Sequence, residues 1–208
     1  VQMGALMKIK RVLTAIALAA SALGASATTT VGGISFADNA FADALYYSFG
    51  SYTTSGGTLA QVLTDTNPGT YAYSRTPGAS LLLGFTDNNV FNGAGADLAV
   101  FELGIADSVK VSFGAQTLSF QTVATGYTAG GYALNVALVD FSAFGIANGA
   151  NLQYQSIGLD TVAPGGTVPS ISLVGALHVA AVPEPETYAM LLAGLGAIGA
   201  LVRRRKRA

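Results

Sequence analysis

The chain has no cysteine and no tryptophan, and it contains a single histidine in 208 residues. Without cysteine, disulfides, thiolate metal sites and a cysteine nucleophile are all excluded. The lone histidine, His178, could act as a general base only if the fold brought it a nucleophile and an orienting carboxylate. The fold must therefore be held by its core, without covalent cross-links.

Positive charge is also scarce, because Arg75 and Lys110 are the only basic residues between positions 28 and 182. Nine carboxylates share this segment: Asp38, Asp43, Asp65, Asp87, Asp97, Glu102, Asp107, Asp140 and Asp160. Two bases and nine acids give it a net charge near −7, which the value of −1 for the whole chain conceals. Such a segment lacks the basic surface that nucleic acids require, and it suits solubility outside the cell and the binding of cations.

The first 27 residues have the order of a bacterial secretory signal peptide. A basic start at residues 8–11 precedes an apolar run over residues 12–23, and small residues follow as far as Ala27. A run of about 12 residues is too short to span a membrane and has the length of a signal. We expect cleavage after Ala27, with Ala22 as the competing site, and translation from Met7. The alternative is a retained N-terminal anchor.

The last 26 residues, 183–208, contain three features in sequence. Pro183, Glu184 and Pro185 come first, and an uncharged run over residues 188–202 follows. Five bases end the chain: Arg203, Arg204, Arg205, Lys206 and Arg207. As a helix the uncharged run would reach roughly 22 Å, against a hydrocarbon core of about 30 Å. We therefore expect a short membrane helix, with the bases on the cytoplasmic side.

This tail resembles the PEP-CTERM sorting signal of Gram-negative bacteria, which combines a Pro-Glu-Pro motif, a short membrane helix and an Arg-rich end. The resemblance implies that an exosortase, a membrane-embedded cysteine protease, recognises and cleaves this chain as its substrate. It also implies an inner-membrane-anchored precursor that faces the periplasm and later reaches the cell surface or extracellular matrix. The alternative is an ordinary anchor for a periplasmic domain.

We predict that residues 28–182 form one all-β domain, because Gly, Thr, Ser, Val, Phe and Tyr dominate and helix-forming Lys, Glu and Arg are almost missing. Strand-like runs recur between turn residues: Val31–Phe36, Ala44–Ser51, Leu59–Leu63, Ala79–Phe85, Asp97–Leu103, Ser108–Phe113, Gln116–Val123, Tyr132–Val139, Leu152–Ile157 and Ile171–Val179. Many short strands at this spacing favour an antiparallel β-sandwich or jelly roll, flanked here by the signal helix and the membrane helix.

Two patterns along the chain each predict a particular strand arrangement. A Gly114-Ala115 pair separates two alternating runs, which predicts a hairpin with Val111 and Phe113 towards the core and with Lys110 towards solvent or a polar rim. Residues 97–101 are instead apolar on both faces, as in a central strand covered on both sides. A helical turn is expected at residues 141–145.

The segment from Gly93 to Glu102 resembles Gly-x-Asp-Leu-x-Val-Phe-Glu strands of bacterial cell-surface domains of the jelly-roll, galactose-binding-like type. In those domains a hairpin like residues 109–120, an Asp-Phe-Ser segment like residues 140–142 and a closing strand follow in the same order. The resemblance implies a fold. Because Leu103 and Gly104 stand where the pattern usually has a charged or aromatic residue, it implies no binding site.

Oxygen ligands are densest between positions 87 and 102. Asp87, Asn89, Asp97 and Glu102 are candidate Ca²⁺ ligands, since Ca²⁺ takes six to eight oxygens from carboxylates, amides and carbonyls. The spacing does not fit an EF-hand. The alternative is a polar turn, in which Asn, Asp and Gly serve backbone conformation alone.

Five tyrosines crowd the first half of the domain: Tyr46, Tyr47, Tyr52, Tyr71 and Tyr73. Aromatic faces on a β-sandwich can stack on sugar rings, although such tyrosines more often fill a strand face. The sequence contains no serine-nucleophile motif, and we expect no catalytic residue and no enzymatic activity. We expect a structural or adhesive protein of the surface or biofilm matrix, associated with exopolysaccharide. A carbohydrate- or Ca²⁺-binding module is the alternative, and a secreted hydrolase a weaker one.

Overall fold

A computed structural model of the chain describes residues 28–37, 39–152, 157–160 and 168–181, together with residues 190, 192–196, 198 and 203. The predicted signal peptide, the Pro183–Glu184–Pro185 motif and the bases at 204–207 lie outside the described residues. The division into segments 1–27, 28–182 and 183–208 therefore stays a prediction.

Between positions 28 and 181 the described residues form fifteen strands, one short α-helix and one 3₁₀ helix. The strands are β1 (Thr28–Val31), β2 (Ile34–Ala37), β3 (Ala44–Phe49), β4 (Tyr52–Thr54), β5 (Ala72–Ser74), β6 (Ser80–Gly84), β7 (Asn88–Val90), β8 (Leu98–Leu103), β9 (Ser108–Phe113), β10 (Gln116–Gln121), β11 (Val123–Ala129), β12 (Tyr132–Val139), β13 (Ile157–Asp160), β14 (Ile171–Ala176) and β15 (Val179–Ala181). Helix α1 spans Leu59–Leu63, and the 3₁₀ helix spans Phe141–Phe144.

Two antiparallel sheets form a β-sandwich, as the composition predicts. The six-stranded sheet has the order β11-β12-β8-β14-β5-β4, and the five-stranded sheet has the order β10-β9-β13-β6-β3. Two further pairs, β1-β2 and β7-β15, complete the described sheets. Every recorded strand pairing is antiparallel.

The six-stranded sheet is covered on both faces. Leu98 and Val100 on one face of β8 join the main core between the two sheets. Ala99 and Phe101 on the other face join a second core with Phe36 of the β1-β2 hairpin. Successive strand residues point to opposite faces. Because both faces are covered, every residue of β8 is buried. This confirms the prediction of a central strand covered on both sides.

The β9-β10 hairpin has the predicted register and turn. Phe113 pairs with Gln116, and Gly114 has φ of 59°, which a residue without Cβ adopts at little cost. Val111 is fully buried, and Phe113 packs against the main core. The expected helical turn is the 3₁₀ helix, which begins after Asp140, whose carboxylate accepts the Ser142 N–H at 2.7 Å.

Three strand predictions were wrong. Residues 59–63 form helix α1, because Thr58 and Gln61 make a reciprocal capping box that satisfies two amides at the helix start. Residues 31–36 form parts of the β1-β2 hairpin, because Gly32 and Gly33 at positive φ turn the chain. The predicted strand at 171–179 divides into β14 and β15, which belong to different sheets. Most of the predicted strand at 152–157 lies outside the described residues.

In the C-terminal segment, residues 190, 192–196, 198 and 203 are helical, and all of these side chains are exposed. Within the part of the chain that the structure describes, no helix has the length and apolarity needed to cross a membrane.

Candidate functional site

Three tyrosines from two distant parts of the sequence border a groove at one end of the six-stranded sheet. We call it the tyrosine groove, and its volume is about 400 Å³. The segment around β5, the β8-β9 turn, the start of β12 and the chain before β14 contribute to it. Its lining residues are Tyr71, Tyr73, Leu103, Gly104, Ile105, Ala106, Asp107, Tyr132, Val168 and Ser170.

The tyrosine rings are held in a fixed arrangement. Tyr71 and Tyr73 stack with ring centroids 6.5 Å apart and an angle of 24° between their planes. Tyr132 meets Tyr71 edge to face at 6.0 Å and 82°. The neighbouring Tyr132 hydroxyl, and to a smaller extent burial, raise the pKa of Tyr71, so the Tyr71 phenol is a neutral hydrogen-bonding group at physiological pH. The groove thus presents apolar ring surface with polar tips.

A close backbone contact helps to fix this arrangement. Gly69 and Gly130 lie so near each other that a Cβ built on Gly130 would stand 2.7 Å from the Gly69 carbonyl oxygen. Gly130 also has φ of 57°, which favours glycine. The contact joins the segment that precedes Tyr71 to the β11-β12 turn that precedes Tyr132, so it sets the distance between these rings.

The acidic residue of the groove is Asp107, in the turn between β8 and β9. Its Oδ1 accepts the Ser108 N–H at 2.7 Å. Its own N–H donates to Glu102 Oε1 and to the Thr122 hydroxyl oxygen, at 2.7 Å each. The Thr122 hydroxyl donates to the same Glu102 oxygen. The backbone behind the groove is therefore tied to a buried carboxylate.

Glu102 has no exposed surface. Its Oε2 has no hydrogen-bond partner among the described residues. Burial raises the pKa of Glu102 to about 7, since a charged carboxylate loses its hydration there, although the bonds from Thr122 and Asp107 oppose the effect. The negative charge of Asp107 acts in the same direction as burial. Glu102 therefore titrates near neutral pH.

A second buried carboxylate, Asp97, connects three segments. Its Oδ1 accepts the Gly93 N–H at 2.6 Å and contacts His178 Nδ1 at 2.8 Å, and its Oδ2 accepts the Phe141 N–H at 2.8 Å. His178 is 36% exposed at its side chain. An imidazole oriented by a carboxylate is half of a nucleophile-activating arrangement. No serine contacts His178 among the recorded hydrogen bonds of the described residues.

The four candidate Ca²⁺ ligands have separate partners. Asp97 and Glu102 are five residues apart on extended chain, roughly 17 Å. Burial, with Asp43 nearby, raises the pKa of Asp87, and Asn89 Oδ1 accepts the Asn151 amide at 3.2 Å. No group of three or more His, Asp or Glu side chains suited to a metal occurs among the described residues. Ca²⁺ binding by this set stays a prediction, and the geometry does not favour it.

The five tyrosines noted in the sequence do not form one cluster. Tyr71 and Tyr73 line the groove, whereas Tyr46 and Tyr47 lie on β3 of the other sheet with 59% and 56% of their surface exposed. Tyr52 packs against the main core. Sequence reasoning missed Tyr132 and Asp107. Only strand pairing brings these two residues to Tyr71, and no local pattern signals it.

Comparison with known proteins identifies one segment. Residues 181–206 match the model of the PEP-CTERM protein-sorting motif. The match begins at the last residue of β15, where the described domain ends. The chain thus carries the signal of an exported surface protein that an exosortase sorts, as its tail predicts. No curated protein and no solved structure shows significant similarity to the chain.

Proposed function

We propose that this protein is a non-enzymatic, adhesive component of the cell surface or extracellular matrix that binds exopolysaccharide through the tyrosine groove. The observation that carries the proposal is the convergence of Tyr71, Tyr73 and Tyr132 around one groove. Aromatic rings provide the flat apolar faces on which sugar rings stack, and the phenol tips and Asp107 provide hydrogen-bonding groups at the rim.

The sorting signal supports the location of this role. An exosortase substrate is exported, and the proposal adds an inner-membrane-anchored precursor that is later released to or attached at the surface. The jelly-roll, galactose-binding-like resemblance of residues 93–102 is consistent with the described sandwich and belongs to this proposal.

The proposal assigns no catalytic step and no resident metal. The feature that most favours a hydrolase is the contact between His178 and Asp97, but in the described part of the chain no recorded hydrogen bond brings His178 a nucleophile. The tyrosine groove and the His178 pair also have no lining residue in common.

The test is a sedimentation assay with insoluble exopolysaccharide from the producing cells and the full chain in mild detergent. Tyr73→Ala combined with Tyr132→Ala should weaken binding by about tenfold or more, because two stacking faces are lost. Tyr127→Ala is the matched control, since Tyr127 is 57% exposed and Tyr132 is 50% exposed, but Tyr127 does not line the groove. Equal binding by both variants and the unchanged protein would refute the proposal.

A further inference from the structure

We propose that the tyrosine groove selects polysaccharides that carry free, protonated amino groups, such as de-N-acetylated amino sugars, over neutral and uronic-acid polymers. This inference rests on the proposed polysaccharide-binding function and names the class of ligand for the same groove.

The groove carries negative charge. Among the described residues that line it, Asp107 is the one charged side chain, and none is basic. Asp107 Oδ1 is engaged by the Ser108 N–H, and no hydrogen bond to Oδ2 is recorded among the described residues. A half-buried carboxylate with a free acceptor oxygen favours a cationic donor, since charge-assisted hydrogen bonds are stronger than neutral ones.

Few basic residues are present to compensate the negative charge of the domain. Segment 28–182 holds two bases against nine acids. Lys110 lies on β9 of the other sheet, and Arg75, two residues beyond Tyr73, does not line the groove. A field of one sign attracts ligands of opposite charge and repels those of like charge. A uronic-acid polymer would bring more carboxylates to an acidic surface, whereas an amino-sugar polymer would neutralise it.

The aromatic rings that line the groove with Asp107 also favour a cationic ligand. Tyr132 stands nearly perpendicular to Tyr71, and Tyr73 lies nearly parallel to Tyr71. Ring faces attract cations through their quadrupole and also stack on sugar C–H groups. A protonated amino sugar can use both interactions together with the carboxylate, and a neutral sugar can use the stacking alone.

The experiment compares oligosaccharides of equal length that differ in one group. Glucosamine oligomers, their fully N-acetylated counterparts and polygalacturonate are titrated into the full chain in mildly acidic, low-salt buffer, and tyrosine fluorescence reports binding because the chain has no tryptophan. The glucosamine oligomer should bind at least tenfold more tightly than the acetylated one. Added salt should reduce this ratio, since screening weakens the charge interaction.

Asp107→Asn should remove most of the preference, because Asn can still accept the Ser108 N–H but carries no negative charge. Asp140→Asn is the matched control. Asp140 also accepts a neighbouring N–H at 2.7 Å, and it lies just beyond the opposite end of β12 from Tyr132. The Asp140→Asn substitution removes one negative charge, as Asp107→Asn does, but leaves the groove unchanged. The preference for the aminated oligomer should therefore persist.

Two results would overturn the inference in different ways. Equal affinity for aminated and acetylated oligomers, or tighter binding of polygalacturonate, would contradict the amine preference and leave polysaccharide binding in place. Failure of all three ligands to bind would contradict the proposed function together with this inference.

Discussion

Two buried carboxylates near β8 are held in different ways. Both oxygens of Asp97 have hydrogen-bond partners, and these contacts fasten the loop at Gly93, the 3₁₀ helix and the residue before β15. Glu102 has donors on one oxygen only. A buried carboxylate with an unmet oxygen is stabilised by protonation. Asp97 is therefore a structural anchor, and Glu102 makes the stability of the fold depend on pH.

We predict that wild-type protein loses stability as pH rises from about 4.5 to above 7. The native state holds a proton on Glu102 that the unfolded chain releases, so the free energy of unfolding falls as pH increases through this range. The difference between a pKa of about 7 in the native state and 4.5 in the unfolded chain corresponds to between about 3 and 4 kcal/mol, since one pKa unit is worth about 1.4 kcal/mol. Urea unfolding at several pH values measures the change.

Glu102→Gln should remove most of this pH dependence, because the amide keeps an acceptor for Thr122 and the Asp107 N–H but does not titrate. Asp140→Asn serves as the control for other acidic groups and should retain the wild-type slope. If the free energy of unfolding changed with pH equally in the Glu102→Gln variant and the wild type, Glu102 would be ionised throughout the range.

The partners of these residues were beyond the reach of sequence reasoning. Asp97 and His178 are 81 positions apart, and Glu102 and Thr122 are 20 apart. Their contacts depend on strand order, which residue patterns along one chain do not encode. The sequence analysis noted Asp97 and Glu102 only as part of a dense set of oxygen ligands, and it grouped them as metal ligands because they are close along the chain.

At the scale of elements, local patterns predicted local structure. The β9-β10 hairpin follows from alternation and a Gly-containing turn, and both are present. Helix α1 was missed because its composition is apolar like a strand, although Thr58 and Gln61 carry a helix-start signature. Strands β4, β5 and β7 have three residues each, which is too short for a periodic pattern.

The hairpin also permits a test of packing. The ring centroid of Phe113 lies 4.9 Å from that of Phe141 and 5.0 Å from that of Phe144, and both contacts are edge to face. Phe113 therefore joins the hairpin to the 3₁₀ helix. Phe113→Ala should destabilise the protein by about 3 kcal/mol through loss of these contacts and the cavity left behind. Denaturant midpoints measure the effect.

Ser112→Ala is the comparison within the same strand. Ser112 pairs with Thr117 in register, and its hydroxyl contacts that of Thr117 at 2.7 Å on an exposed face. Its loss should change stability by less than about 1 kcal/mol. Equal effects of the two substitutions would contradict the assignment of Phe113 to the core side of the hairpin.

At the scale of the whole molecule, charge is divided between the domain and the two predicted sorting segments. Eight of the ten basic residues lie in segments 1–27 and 183–208. Removal of both ends would therefore convert a nearly neutral chain into a strongly acidic one. An acidic surface protein is soluble and attracts cationic partners, which connects processing to the ligand class proposed for the tyrosine groove.

The last prediction concerns processing. The sorting motif adjoins β15 directly, so the exosortase must act within a few residues of the folded domain. Replacement of both Pro183 and Pro185 by Ala should leave uncleaved precursor in the inner membrane, whereas Pro77→Ala, in an exposed loop, should be processed normally. Mass spectrometry of the C-terminus measures cleavage. Surface material that retains the intact Arg203–Arg207 end would contradict exosortase processing, because cleavage at the motif separates these bases from the domain.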